Sequence, residues 1–528
     1  MRFFLFFAVV SLMFASLLLA NINLLWFIPA LVFAGFSAYG VYDLVQSSHA
    51  LWRNYPVMGR MRWLFEFIRP YVQQYLVEGE TDGMPFNREQ RSLVYRRAKN
   101  VQASEPFGSH VDFNEARYEW LNPSLAACKN NPKSFRVRIG STACKQPYSA
   151  SVFNISAMSF GSLGSNAISA LNRGAAKGNF YHDTGEGAIS PYHKLGGDLV
   201  WEIGSSYFGC RDDAGCFHPE KFKKNATVDC VKMIEIKLSQ GAKPGHGGIL
   251  PGSKVTKEIA ETRGITPGET CVSPPFHTAF STPVEMMHFI GQLRELSDGK
   301  PIGFKLCIGH RWEFLALIKA MLKTGIAPDF IVIDGAEGGT GAAPVEFQDH
   351  IGTPLRAGLV FARNALVGAG LKEQIRLGAS GKIVSAFGMA AAMALGADFC
   401  NSGRGFMFAL GCVQSLSCHT NHCPTGIATQ DKLLQRGLVV TDKASRVFHF
   451  HQNTVRALGE VVGAAGLTHP SQLRPHHMYH RVSATRALPA DEVYDLLLSG
   501  ALLSHPQDTG LAVDWARASA DTFEAQMG

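Results

Sequence analysis

Residues 329–341 read DFIVIDGAEGGTG. Phe330 to Ile333 are apolar without alternation, and a glycine-rich turn follows at once. A strand that is apolar on both sides is covered on both sides, which is how parallel sheets under helices are built. Seven more runs of this kind flank it: SVFNISAMSFG (151–161), NFYHDTGEG (179–187), LVWEIGSSYFG (199–209), KMIEIKLSQG (232–241), IGFKLCIG (302–309), IRLGASG (375–381) and ADFCNSGRG (397–405). Stretches of helical character separate them. Eight such units predict an α/β fold closed as a (β/α)8 TIM barrel over residues 150–430, with a doubly wound open sheet as the alternative.

The polar residues gather at the C-terminal ends of these runs, where such barrels place their active sites. Ser380, Gly381 and Lys382 end the seventh run, and Gly403, Arg404 and Gly405 end the eighth. Loops after these two strands recur as phosphate sites, because glycine lets main-chain N–H groups approach the oxygens and a cation balances the charge. After the sixth run Gly338, Gly339, Thr340 and Gly341 leave backbone open to a flat ring, and Ala157, Met158 and Ser159 after the first suit a ring edge. Flavin mononucleotide (FMN) satisfies both observations; a phosphorylated sugar needs only the first. Lys237 and Lys305 sit on the fourth and fifth runs, where a buried lysine requires an anion or carbonyl partner. One turned inward would stabilise negative charge on a reduced flavin; a rim position in water is the competing reading.

CVQSLSCHTNHCPTG (412–426) follows directly on the eighth run and spaces Cys412, Cys418 and Cys423 as C-x5-C-x4-C. The spacing is wider than the C-x2-C of a zinc ribbon. Three thiolates suit a three-iron cluster or a four-iron cluster with one open corner. Zinc with His419 or His422 as a further ligand stays open, and Pro424 with Gly426 points to a fixed loop rather than a core helix.

Phe3 to Tyr42 holds no charged residue, and at about 1.5 Å per helical residue it is long enough to cross a bilayer of roughly 30 Å twice. Asn21 and Asn23 would form the turn of a transmembrane hairpin over residues 1–45. Arg2 before it and Arg53, Arg60, Arg62 and Arg69 after it place both ends in the cytoplasm, so the expectation is a multi-pass protein of the cell membrane with its catalytic domain on the cytoplasmic side. A cleaved signal peptide is the alternative. In that reducing compartment the eleven cysteines are thiols, metal ligands or catalytic groups rather than disulfides. The net charge of +7 is modest and partly juxtamembrane, and no nucleic-acid motif occurs, so nucleic acid is not an expected partner. Residues 46–149 read as a mostly helical lead-in and 431–528 as a helical extension. The long link from Gly241 to Pro301 reads as a substrate loop.

ISAMSFGS, TGEG, EIKLSQGAKPGHGG, GGTGAAP and CVQSLSCHTNHCPTGIATQ together resemble the synthase domain of glutamate synthase, over about residues 100–440. The resemblance implies a barrel that binds FMN and a three-iron, four-sulfur (3Fe-4S) cluster and reduces 2-iminoglutarate, formed from 2-oxoglutarate and ammonia, to glutamate. Residue by residue, it implies that Cys412, Cys418 and Cys423 ligate the cluster, Lys237 contacts the flavin, and Gly403 and Arg404 lie at its phosphate. Lys243 and Arg263 would hold the substrate's two carboxylates, with Glu186 facing the pocket. Glu186, Lys237 and Lys305 are the catalytic candidates.

The chain departs from the family where the large enzymes read G-E-G-G-Q-L-P-G: here GHGGILPG puts His246 in place of an acid and Ile249 in place of a glutamine. Replacing a polar contact by an apolar side chain changes substrate preference, so an N-methylglutamate synthase type of activity is one alternative. A phosphate-binding barrel lyase or isomerase with structural zinc is another, and an assembly protein that lost turnover is a third. The membrane spans leave no room for the family's amidotransferase domain, so ammonia would come from solution or a separate subunit. The electron donor is unidentified.

Overall fold

The computed structural model describes residues 2–101 and 104–526. The chain divides into two compact units, Met1–Arg88 and Glu89–Gly528.

Within the second unit, eight parallel strands close into a barrel in chain order. They are β1 Phe153–Ile155, β2 His182–Asp183, β3 Leu199–Ile203, β4 Val231–Lys237, β5 Ile302–Leu306, β6 Phe330–Asp334, β7 Arg376–Ser380 and β8 Phe399–Ser402. Each lies on one of the eight apolar runs, and the pairing of β8 with β1, Asn401 against Asn154, shuts the wall. The fold is therefore the (β/α)8 barrel and not the open sheet. Helices such as Ser165–Gly178, Arg311–Thr324 and Leu355–Gly368 cover the outside.

An antiparallel hairpin, Arg136–Ile139 with Tyr148–Ser151, packs Ile139 and Ala150 into one apolar cluster with Tyr181, Val200, Met233, Phe330, Val332 and Phe399. These barrel residues lie toward the strand beginnings, so the hairpin plugs the N-terminal end and leaves the opposite end as the mouth. The excursion from β4 to β5 carries a short ladder of Ile249–Leu250 with Cys271–Val272, the helix Lys257–Arg263 and the helix Pro283–Leu296.

Two flanking regions differ from expectation. Residues 105–149, read as part of a helical lead-in, hold no α-helix among the described residues and are mostly irregular with short strands. The C-terminal segment begins as expected with the helix Val440–Ala464, which packs so closely on Ser165–Gly178 that a Cβ on Gly174 would lie 2.4 Å from Val447 Cγ1. It then turns into a hairpin of two strands, Met478–Ser483 and Arg486–Pro489, the first of which also pairs with Glu119–Leu121. Pairing across more than 350 positions leaves no local signature.

In the first unit, Phe4–Ala20 and Phe27–Val45 pack side by side, with the Phe6 ring seated on Gly40. Residues Leu24–Val45 are long and apolar enough to cross a membrane. Phe4–Ala20 has 17 residues, about 26 Å of helix against a hydrocarbon core of roughly 30 Å, so among the described residues one helix of spanning length is present rather than two. Asp43, fully buried, accepts from Arg60 Nη2 at 2.7 Å and from Val57 N at 3.0 Å, which fixes the chain's exit from the second helix.

Candidate active site at the barrel mouth

Glu186 enters the mouth from the loop after β2. Lys237, the last residue of β4, meets it with Nζ 2.8 Å from Oε1, and also reaches Gln240 Oε1 at 3.3 Å. Glycines make the room: a Cβ on Gly248 would come within 2.3 Å of one Glu186 oxygen and a Cβ on Gly204 within 2.5 Å of the other. Behind Lys237, His277 Nε2 lies 2.8 Å from the Lys237 carbonyl and Nδ1 lies 3.0 Å from the Tyr207 hydroxyl. The Lys237 carbonyl can only accept, so the imidazole donates through Nε2 and, when neutral, accepts the Tyr207 proton at Nδ1. Burial holds the His277 pKa below its ordinary value, which agrees with a neutral ring.

Arg263 ends the helix Lys257–Arg263. Its Nη2 donates to the Phe160 carbonyl at 3.0 Å and to Ser159 Oγ at 3.3 Å, beside the backbone of Gly187. Its Nε is buried without a hydrogen-bond partner. Lys243 is 3% exposed, and its pKa is lowered to about 8, first by burial and then by Lys237, against the pull of Glu186. Burial would push Glu186 up, but Lys237, Arg263 and Lys243 outweigh it and hold the carboxyl below its usual range. The four charged groups that sense one another here are three cations and one carboxylate.

Lys305 lies elsewhere. It pairs in register with Lys237, but its side chain enters the barrel interior, where Nζ contacts Glu202 and lies 3.0 Å from Glu235 Oε1. Asp183, Glu202 and Glu235 bring carboxylate oxygens within 4.8 Å of one another around it. Burial alone would lower the Lys305 pKa, yet Glu202, Glu235 and Asp183 raise it well above normal, while burial and its acidic neighbours push Asp183 well up and Glu235 to about 7. The expected catalytic lysine is thus the counterion of three buried acids inside the wall.

At the ends of β1, β7 and β8 the expected flavin residues converge. Ser380 Oγ lies 3.4 Å from Ser156 Oγ, and a Cβ on Gly403 would lie 4.0 Å from Met158 Sδ, next to the half-buried Ala157. Gly381 has φ +147°, open to glycine and strained for other residues. Arg404 does something the sequence did not indicate. It lies across Gly339, where a Cβ would be 2.8 Å from Nε, donates through Nη2 to the Thr340 carbonyl, and points Nη1 at Cys418 Sγ from 3.6 Å.

Each thiol of the triplet has a polar hydrogen directed at it or a hydroxyl beside it. Gln414 N lies 3.5 Å from Cys412 Sγ, Arg404 Nη1 3.6 Å from Cys418 Sγ, and Thr425 Oγ1 3.4 Å from Cys423 Sγ. Burial would raise Cys423, but Thr425 and the main-chain N–H groups of Ala428, Thr425 and Ile427 pull its pKa below the ordinary thiol value, the environment of a thiolate. Burial pushes Cys412 up to about 11. Among the described residues the three sulfurs do not all lie within 4.8 Å of one another, whereas one tetrahedral zinc draws its sulfurs to about 3.8 Å. His419 and His422 are exposed. The donor set and the directed hydrogens fit a cluster with one cysteine per iron.

Sequence reasoning missed His277, Tyr207 and Gln240, which organise Lys237, and Cys271, whose thiol neighbours Arg263. It also missed Lys254. The available signal was polar residues interrupting glycine- and proline-rich stretches next to a strand end.

A closed (β/α)8 barrel with a buried, cation-rich mouth is the architecture of a barrel enzyme working at the C-terminal ends of its strands. The comparisons say which. Residues 114–468 match the conserved region in glutamate synthase, and the chain belongs to the glutamate synthase family, as an enzyme of that type. It is 36% identical over 496 residues to the glutamate synthase large subunit-like protein YerD of Bacillus subtilis, covering 86% of this chain and 93% of that one. It is 33% identical over 321 residues to the archaeal-type glutamate synthase [NADPH] of Thermotoga neapolitana, a match over 60% of each chain. Among solved structures, a flavocytochrome b2 mutant with pyruvate bound overlaps 82% of this chain and 90% of its own, at 14% identity and a TM-score of 0.41.

Proposed function

We propose that this protein uses FMN and an iron–sulfur cluster to reduce 2-iminoglutarate, or a closely related imine, to the amino acid. The observation that carries this reading is the charge imbalance at the mouth: Lys237, Lys243 and Arg263 surround Glu186 alone. Two buried cations left over after one neutralisation call for a ligand with two negative charges, and a five-carbon dicarboxylate provides them at opposite ends.

Lys243 and Arg263 hold the two carboxylates, Arg263 through the N–H that has no partner in the protein. Lys237, kept in place by Glu186, Gln240 and the His277 contact to its own carbonyl, sets a positive charge beside the flavin ring. Ala157, Met158, Ser159, Gly339 and Thr340 border the ring, and Ser380, Gly381 and Gly403 approach its phosphate. FMN bound there supplies hydride-transfer chemistry, and a cluster on Cys412, Cys418 and Cys423 supplies one-electron chemistry fed by an external donor. Three thiols on one loop, each with a polar hydrogen or hydroxyl beside it, support a 3Fe-4S cluster there. Leu24–Val45 supports a membrane tether, the four arginines that follow it, Arg53, Arg60, Arg62 and Arg69, support a cytoplasmic barrel, and a separate subunit or solution supplies ammonia.

The test is an anaerobic preparation with flavin and iron counts, followed by 2-oxoglutarate plus ammonia added to the reduced protein. The expected result is a flavin- and iron-containing protein that reoxidises and forms glutamate. A colourless protein, or a reduced one that these substrates leave unchanged, overturns the proposal. Methylamine in place of ammonia tests the related amine, which the apolar Ile249 motivates.

A further inference from the structure

Lys254 lies on the β4–β5 excursion between the two substrate cations Lys243 and Arg263, yet it does not join them. Its side chain is 2% exposed, and Nζ donates to three main-chain carbonyls, Cys418 at 2.7 Å, Ala428 at 2.8 Å and Ser162 at 3.1 Å. All three ammonium hydrogens are used. No carboxylate pairs with it among the described residues; its ionisable neighbours are the thiols of Cys418 and Cys423.

A buried ammonium surrounded only by carbonyl dipoles lacks a countercharge. An anionic metal–thiolate centre on the adjoining loop would supply it. The three acceptors also belong to different segments: Ser162 follows the Ser159–Phe160 turn that holds Arg263, while Cys418 and Ala428 bracket the last cysteine. Neighbouring contacts repeat the tie, with Asn421 Nδ2 on the Ser253 carbonyl at 3.2 Å and Gln430 Nε2 on the Gly161 and Leu163 carbonyls at 3.0 and 3.1 Å.

We infer that Lys254 is a positioning residue for the iron–sulfur centre: it fastens the thiol loop to the substrate loop, and its fixed charge raises the centre's reduction potential. The inference rests on the reading that Cys412, Cys418 and Cys423 hold a cluster. Reduction adds negative charge to the centre, so a nearby buried cation favours the reduced form. Because the same excursion carries Lys243 and Arg263, a movement that accompanies substrate binding would be felt at the metal.

The experiment uses the full-length protein purified anaerobically, as wild type, Lys254→Met and Lys254→Arg. Iron, sulfide and flavin are counted, and the cluster is titrated by electron paramagnetic resonance against applied potential. Lys254→Met is expected to shift the one-electron equilibrium toward the oxidised centre by roughly tenfold, about 59 mV, with flavin content unchanged and Lys254→Arg close to wild type. If Lys254→Met loses its iron, retention by Lys254→Arg upholds the inference. An unchanged potential in an iron-replete Lys254→Met protein overturns it, as does loss of iron from both variants. Wild-type protein without iron would instead defeat the cluster reading itself.

Discussion

Lys237 Nζ and Glu186 Oε1 meet at 2.8 Å across the mouth, joining the end of β4 to the loop after β2. The pair neutralises one of the three positive charges at the mouth, and Gln240 takes a second Lys237 hydrogen. Two groups that act through one contact give non-additive losses. Glu186→Gln and Lys237→Met should each lower kcat on the order of 10²-fold, as loss of one preorganised electrostatic group does. The double variant should be little worse than either single. Steady-state kinetics on the three proteins decides it; multiplied losses would show that the residues act independently.

Lys243 should control recognition rather than turnover. Lys243→Ala removes a charge-assisted hydrogen bond worth about 1.5–3 kcal/mol, so KM for the dicarboxylate should rise roughly 10- to 150-fold with a smaller change in kcat. A monocarboxylate of the same length should be used nearly equally by both proteins.

The same lysine predicts a pH profile. Its folded pKa is lowered to about 8 from its ordinary value of 10.5, so the free enzyme loses this cation as pH climbs through about 8, and KM should increase above that pH. Lys243→Arg should flatten the rise. Stability runs the other way: between about 8 and 10.5 the unfolded chain keeps a proton that the folded chain has released, so this residue adds stability with increasing pH. Kinetics and urea unfolding across that window test both signs.

Two glycines should fail differently. A Cβ on Gly248 meets the movable carboxylate end of Glu186 at 2.3 Å, whereas one on Gly241 meets the main-chain oxygen of Gly335 at 2.0 Å. Gly248→Ala should displace Glu186 and reduce activity with a nearly unchanged melting temperature. Gly241→Ala should lower the melting temperature markedly, because backbone has to move. Thermal melts of the two variants beside their activities make the comparison.

Lys305→Met should be a stability variant. It leaves Asp183, Glu202 and Glu235 facing one another without their cation, and removing one partner of a buried ionic group costs about 3–5 kcal/mol. Chemical denaturation measures it. A protein of wild-type stability with a changed flavin spectrum would return Lys305 to the active site.

The strands were legible because strands buried on both faces leave uninterrupted apolar runs, and DFIVID and MIEIK fall on β6 and β4. The mouth was legible in outline, since Glu186, Lys237, Lys243 and Arg263 do converge. Lys305 was misjudged because alternation along a strand tells inward from outward but says nothing of depth or partner. An acid inside the strand portion of each of three adjacent runs, Asp183, Glu202 and Glu235, was the clue that this lysine already had its counterions. Arg404 was expected at a phosphate from its loop after the eighth run and from the resemblance; its reach to Thr340 and Cys418 was not legible because it depends on how two loops fold together. The strand Met478–Ser483 was illegible because its partner Glu119–Leu121 is remote in the chain.

Lys243 and Arg263 both ride on the single excursion between β4 and β5, while the residues proposed to hold the ring and its phosphate project from the other strand ends. Acid recognition is thereby confined to one exchangeable cassette. Because Lys254 rides on it too, exchanging that cassette between relatives should alter both which molecule is accepted and the potential of the metal centre.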